Sequence, residues 1–374
     1  MPTVFHTADV HLDAPFTFLG ARGQRQRQQV QDTFQLLIDR TISDRCDLLL
    51  VAGDLFDSNS PSQRAIDFAI AQFRRLNIPV CILPGTHDCF NQRSVYRRVK
   101  FSQHCANVFV FTDGHGEIKE FANLGLSIHA RANLTNQSPS SPLEGLSPVG
   151  RSRWNIAMAH GSVVIPGVVT SADFPIYPEQ IALCNMDYVA LGHWHSLGNY
   201  SQAKVPAYYS GCPETINFDS TGSGSFIRLM LDDKSQARVV EERIGRRKLA
   251  DLSIALDGME ALEQVKSMIL AGRDPESILT VTLTGMRDIG LTFDANDLVE
   301  ELTDAFFHIR IVEKSHVKLS DMSASAFHEQ TVLGQFVRLM QARIAEASSP
   351  EEMTQGEEAL QLGVALLQGK GVLG

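Results

Sequence analysis

Val4-Phe5-His6-Thr7-Ala8-Asp9-Val10-His11 opens the chain with a short apolar run that delivers an acid and an imidazole two residues apart. Four later stretches repeat this arrangement. Leu48 to Val51 leads into Gly53-Asp54, and Val80 to Leu83 into Thr86-His87-Asp88; Ile156 to Met158 leads into His160-Gly161, and Tyr188 to Leu191 into Gly192-His193-Trp194-His195. Apolar runs this short, separated by helical patterns, read as buried strands of a parallel or mixed sheet. If all five belong to one sheet, their polar clusters emerge along one edge, and carboxylates and imidazoles gathered there predict a metal site.

Residues 1 to about 235 alternate apolar runs with helical patterns, as an α/β layered domain does. The stretches 22 to 43 and Pro61 to Leu76 read as helices, with Ser60-Pro61 as cap and first-turn proline. Val108 to Phe111, Leu126 to His129, Ala207 to Ser210 and Phe226 to Leu231 read as further strands. Residues 133 to 153, rich in Ser, Pro, Asn and Gly, form a long loop, either functional or a cover for the sheet's edge. From 236 to 320 the pattern becomes a small α/β unit: strands at Leu252 to Leu256, Leu279 to Leu283 and Ile309 to Val312, helices at about 258 to 271 and 296 to 306. Residues 321 to 374 read as a helical region from about 324 onward. In it Val332, Leu333, Phe336, Val337, Met340 and Ile344 recur at helical spacing, and Ser349-Pro350-Glu351-Glu352 starts a second helix. The apolar face of this hairpin packs on its own domain or meets a helix of a second copy or a partner.

At 374 residues and 44% hydrophobic, the chain can bury a sizeable core and divide into two or three domains. No apolar stretch approaches the roughly 20 residues that span a bilayer, and Met1-Pro2-Thr3-Val4 has no basic or apolar leader, so the expectation is a cytoplasmic protein with no membrane contact. The six cysteines show no Cys-x-x-Cys spacing and read as reduced core residues. A net charge of -10 argues against a protein that coats nucleic acid non-specifically, but it leaves room for a nuclease with a local basic strip. Two strips qualify: Arg22, Arg25 and Arg27, and Arg93, Arg97 and Lys100, the latter on one face if the segment is helical. Contact with DNA phosphates and an ordinary solvated face both remain open for them.

Asp9 and His11, two apart on an extended loop, can point toward one ion, and His193 and His195 repeat that spacing. Mixed oxygen and nitrogen donors suit manganese, iron or zinc better than magnesium or calcium. Asp54 can bridge two ions through its two oxygens, the preceding glycine letting the backbone turn tightly, and His160 adds another nitrogen. Two cations about 3.5 to 4 Å apart polarise a phosphate and acidify water, which implies phosphoester hydrolysis. His87 stands apart from the ligands as general acid or phosphate stabiliser, with the adjacent Asp88 expected to support its imidazolium. His6, His104, His115 and His129 read as packing or surface residues.

The ordered motifs Asp-x-His, Gly-Asp-x-x-Asp (Gly53 to Asp57), Gly-Asn-His-Asp (here Gly85-Thr86-His87-Asp88), His-Gly (His160-Gly161) and Gly-His-x-His (Gly192 to His195) resemble those of the calcineurin-like metallophosphoesterases. His6 to Asp13 looks like the start of the DNA-repair exonuclease branch that contains SbcD and the YhaO-type proteins, and Tyr209 to Glu214 is similar to the segment closing that family's core. The match is dense over residues 1 to about 235; beyond it the α/β unit is placed like a capping domain and the helical tail like a partner-binding region. The resemblance implies a layered phosphoesterase sandwich with two Mn2+ ions. Asp9, His11, Asp54 and His195 would hold one, and Asp54, His160, His193 and residue 86 the other, with His87 as the catalytic histidine. It further implies exonuclease or endonuclease action on DNA ends, a homodimer and a partner ATPase of the SMC-like ABC type. Thr86 departs from the pattern, since a hydroxyl replaces the family's amide oxygen, and it predicts a looser second site. A phosphoesterase on nucleotides or other small esters, and a weakly active or non-catalytic metal-binding subunit, are the alternatives.

Overall fold

Leu48–Ala52 is buried at every position, which an amphipathic strand never is; such a run needs neighbours on both edges and cover on both faces. The computed structural model, which describes residues 2–150, 152–165, 167, 173–217, 222–232, 237–287, 291, 293–317 and 331–367, supplies them. In chain order the first elements are β1 (Thr3–Thr7), α1 (Gly23–Ser43), β2 (Leu48–Ala52), α2 (Gln63–Arg74), β3 (Val80–Leu83), α3 (Val95–Val99), α4 (Phe101–His104) and β4 (Val108–Val110). Strands β1 to β4 pair in parallel, and parallel neighbours need the crossover helices that α1 and α2 provide. Those helices meet through aromatic packing, with Phe34 edge-on to Phe73 at 5.9 Å. Helix α2 begins later than Ser60-Pro61 suggests: Ser62 is its cap, its hydroxyl accepting from Ala65 N.

The chain then builds β5 (Glu117–Phe121), β6 (Leu126–Ala130), β7 (Trp154–His160), α5 (Pro178–Leu183), β8 (Tyr188–Gly192), β9 (Gly198–Asn199) and β10 (Ala207–Tyr209), and returns through β11 (Ser225–Leu231) and β12 (Ala237–Arg243). The five runs divide between two sheets, as a layered sandwich requires. One sheet has the order β12-β11-β1-β2-β3-β4 and a second the order β5-β6-β7-β8-β10-β9. Val4, Leu48, Leu50 and Leu83 of the first share a core with Ile128, Ile156, Met158 and Tyr188 of the second, so the sheets pack face to face. Alternation sends Ala157, Ala159, Val189 and Leu191 to the second sheet's other face, where Ile181 of α5 and Leu143 cover them. Leu143 belongs to the long 133 to 153 loop, which is therefore packed down onto the sheet.

The chain divides into two compact units, Met1–Leu249 and Ala250–Gly374. The sequence-based border at 236 lies outside the described residues, and the strand after it, β12, pairs along its length with β11, which draws residues 237 to 243 into the first unit. The second unit holds β13 (Lys248–Ala255), α6 (Leu262–Leu270), β14 (Asp274–Thr284), β15 (Met286–Arg287), α7 (Ala295–Leu302), β16 (Phe306–Glu313), β17 (His316–Val317), α8 (Val332–Ala345) and α9 (Pro350–Leu367). Strands β13, β14 and β16 form one sheet, over which Val265 and Ile269 of α6 and Leu298 and Leu302 of α7 are buried. The expected border at 320 and the expected helix from 324 to 330 lie outside the described residues. Helices α8 and α9 pair through Val337, Leu360 and Val364. Ser349 Oγ accepts from Glu352 N as the cap of α9.

Candidate metal centre

Each polar cluster follows the C-terminal end of its strand: Asp9 and His11 after β1, Gly53 and Asp54 after β2, residues 85 to 88 after β3, His160 at the end of β7, and His193 and His195 after β8. Three clusters come from one sheet and two from the other, so the site forms where the two sheets' strand ends converge. Backbone bonds stitch the ends together: Asp9 N donates to Gly53 O and His11 N to Asp54 O, each at 3.0 Å. Asp9, His11, Asp54 and His193 all adopt positive φ (53°, 49°, 51° and 109°). For residues with a Cβ this conformation costs of order 1–3 kcal/mol apiece, and four such residues in one place mark strain held for function.

Two glycines permit the approach. Gly53 has φ 102°, and a Cβ there would lie 1.9 Å from His160 Nδ1; one at Gly85 would lie 2.2 Å from Asp54 Oδ1. Gly53→Ala is expected to cost about 3 kcal/mol or more, because strain and overlap add. A urea midpoint equal to wild type would rule this account out.

Asp54 is the hub. Its Oδ1 accepts from His87 N at 2.8 Å, and its Oδ2 accepts from the Thr86 hydroxyl at 3.2 Å. Oδ2 also lies 3.1 Å from His160 Nε2 and 3.9 Å from His11 Nε2. His160 Nδ1 donates to Ala52 O at 2.9 Å, because a carbonyl can only accept, and His11 Nδ1 lies 3.0 Å from Asp57 Oδ1. Both rings thereby turn Nε2 inward toward Asp54, and neither buried nitrogen makes a well-aligned hydrogen bond among the described residues. Buried polar atoms left so are costly, and a cation would relieve them. Donor atoms of Asp9, His11 and His195 lie within 4.8 Å of one another, as do those of Asp9, Asp54 and His160, and those of His11, Asp57 and His87. The residues present fit divalent cations. His193 belongs to none of these three groups; its ring lies 5.3 Å from that of His160 and lines a cavity together with Thr86 and His87.

The electrostatics match this role. Burial pushes His193 down to about 4 and His195 down to about 3, helped by neighbouring imidazoles, so both stay neutral and able to ligate. Burial raises the Asp9 carboxyl, whereas for Asp54 the burial effect is outweighed by His160 and His11, which hold it well below the usual carboxylate range. Burial alone would lower His160, but the Asp54 carboxylate lifts it to about 9 from an ordinary 6.5. In metal-free protein the raised His160 contributes stability fully below pH 6.5, and that contribution is lost as pH rises through about 9. Melting temperature in a chelator should therefore fall across that window; a flat profile would remove the pair from the account.

Two expectations are corrected. Asp88 does not support the His87 ring: its carboxylate accepts from Gly85 N, Phe56 N and the Tyr96 hydroxyl, and so holds the loop's shape. His87 Nδ1 instead donates to the main-chain carbonyl of Asp57 at 2.9 Å. Arg93, Arg97 and Lys100 do not share a helix face, because α3 covers only Val95–Val99, Arg93 precedes it and Lys100 ends it with φ 44°. Arg97 stacks on Phe90, its guanidinium carbon 3.9 Å from the ring centre.

Other residues at the site escaped the sequence reading. Asp57 was visible in the Gly-Asp-x-x-Asp spacing. Asn133, whose amide donates to His160 O at 3.0 Å, and Asn217, whose amide meets His195 Nδ1 at 3.2 Å, carry no motif. All six cysteines are buried and unpaired with one another, and no helix among the described residues is long and apolar enough to cross a membrane.

Comparison with known proteins agrees with this geometry. The chain is 27% identical over 240 residues to the uncharacterised metallophosphoesterase YhaO of Bacillus subtilis, covering 60% of this chain and 56% of that protein. It is 24% identical over 342 residues to the DNA double-strand break repair protein Mre11 of Sulfolobus acidocaldarius, covering 85% and 84%. To the SbcD subunit of the nuclease SbcCD from Staphylococcus epidermidis it is 23% identical over 278 residues, covering 67% and 71%. The chain thus spans little more than half the length of the Bacillus relative. Residues 2–197 match the model of the calcineurin-like phosphoesterases, and with two sheets converging on these carboxylates and imidazoles, the chain is a member of that family.

Proposed function

We propose that this protein is a manganese-dependent phosphodiesterase that cleaves DNA in repair. The observation that carries the reading is Asp54, whose Oδ2 faces imidazoles from both sheets while its Oδ1 accepts from the backbone of the outward-facing His87. Asp9, His11, Asp54 and His195 would hold one cation, and Asp54, His160 and His193 the second. Two bound cations supply a polarised phosphate and acidified water. The chain's own residues do the rest: Asp54 holds the loop carrying His87, and His87 delivers a proton to the leaving oxygen.

The DNA reading draws on the names of the Mre11 and SbcCD relatives. The α/β part of the second unit would serve as a capping domain, with 321 to 374 as the contact for a second copy or an ATPase. Val332 and Leu339 on α8, which are 73% and 68% exposed, support such a contact. The test is degradation of linear duplex DNA titrated with manganese, beside turnover of small phosphate esters. Turnover of small esters alone would move the reading to nucleotides or similar substrates, and no turnover with any divalent metal would make the protein a metal-binding subunit.

Thr86 bears on that choice, since its hydroxyl is already spent on Asp54. Thr86→Asn is expected to tighten the second manganese site and lower the manganese needed for half-maximal rate by about tenfold. Calorimetry showing equal second-site affinity, with an equal rate, would refute it.

A further inference from the structure

Val4 of β1 and Ala8 just beyond it face the apolar core between the two sheets, and alternation places His6 between them, where another aliphatic side chain would be expected. The imidazole is fully buried there, and burial pushes it down to about 3, so the ring stays neutral at physiological pH. It makes two bonds, both to β8 of the opposite sheet: Nε2 lies 3.2 Å from Leu191 O, and Nδ1 lies 3.0 Å from the Tyr188 hydroxyl. Their direction is fixed. A carbonyl only accepts, so Nε2–H donates to Leu191 O; a neutral ring has one such proton, so Nδ1 accepts from the Tyr188 hydroxyl.

A polar network in this place is costly to bury, and an apolar pair of the same size would fill the space as well. What the network adds is direction. Apolar contact is non-directional, so Val4, Leu50, Ile156 and Met158 set how far apart the sheets lie more than how they register, whereas hydrogen bonds weaken steeply when misaligned. His6 grips β8 at two points, and both strands then run into candidate ligands: Asp9 follows His6 by three residues, and His193 follows Leu191 by two. Just beyond the grip the strand ends meet. His193 N donates to the Asp9 carboxylate at 3.0 Å, and a Cβ on Gly192 would sit 1.9 Å from Ala52 O, so a slide of one sheet on the other has no room.

We propose that His6 is a positioning residue for the metal centre, pinning β1 to β8 so that Asp9 and His11 of one sheet meet His193 and His195 of the other. The proposal rests on the metal-dependent reading of the site, and it assigns the centre's preorganisation to a core residue outside the candidate donor groups. It separates His6 from an ordinary packing histidine, whose loss would lower stability and nothing else.

The test uses the full chain and three variants, His6→Leu, Tyr188→Phe and the two combined. Each single change strands a buried group, the Tyr188 hydroxyl or His6 Nδ1, and should lower the melting temperature in chelator by several degrees. The double variant strands neither and should regain most of that loss. Its affinity for manganese chloride, measured by calorimetry, should nevertheless stay about tenfold below wild type, the scale expected of a residue that orients ligands. A second readout needs no metal: in chelator, the His193 amide should exchange with solvent about tenfold faster in the double variant when compared with the amides of β2, a ratio that cancels changes in global stability. Wild-type relative exchange at His193 in the double variant overturns the proposal, as does wild-type manganese affinity. If wild type itself binds no manganese while the exchange difference holds, the metal-dependent reading falls and the pin between the sheets stands.

Discussion

Asp54→Asn is expected to lower phosphodiester turnover by about a thousandfold or more, beyond the 10- to 100-fold that losing a residue behind the ligands costs. The reason is geometric. One carboxylate oxygen accepts from His87 N, and the other takes the Thr86 hydroxyl and lies nearest His160 and His11, so both halves of the centre share this side chain. Its charge is secured by the same neighbours, which hold the carboxyl ionised despite complete burial. Asparagine preserves the volume and can still accept from His87 N, but it carries no charge and offers one acceptor oxygen where the carboxylate has two. The fold should persist by circular dichroism while manganese stoichiometry measured on dialysed protein drops. A variant that keeps wild-type manganese affinity would show that Asp54 is a loop brace and no ligand.

His87→Ala should reduce turnover by about 10²- to 10⁴-fold, the usual worth of a positioned acid or base, with bound manganese unchanged. The exposed ring of His87 is tethered through Nδ1–H to the Asp57 carbonyl, an acceptor only, and turns Nε2 to the open cavity, where the imidazolium form carries its second proton. That is the arrangement a proton donor to a leaving oxygen needs. Full activity in the variant would end the acid role, and loss of bound metal would recast His87 as a ligand, in company with Asp57 and His11. Asp88→Asn should behave differently: because Asp88 braces the loop through Gly85, Phe56 and Tyr96, its loss should appear first as lowered melting temperature.

Composition and pattern alone reached far into this chain. An apolar run ending in a carboxylate or imidazole, repeated five times, is a local signal, because a buried parallel strand is short, wholly apolar and must end where the backbone turns out of the sheet. That made the α/β class legible, and with it Asp9, His11, Asp54, His160 and His195, which the fold gathers into candidate donor groups. Whether Asp88 faces a histidine ring or the loop's own amides was not legible, since neighbours in sequence at a tight turn point apart as often as together. Nor was the break in the basic strip at Arg93, Arg97 and Lys100, where helix length is decided by the left-handed turn at Lys100. Only the tertiary structure decided that two sheets, not one, supply the site, and that β12 belongs with the first unit. It also decided that loop residues Asn133, Asn136, Gln137 and Asp173 stand around His160 and His87. The candidate ligands could be read in sequence because metal chemistry restricts residue type; what surrounds them could not, because a wall is chosen by proximity, and proximity between loops distant in sequence is set by how the sheets pack.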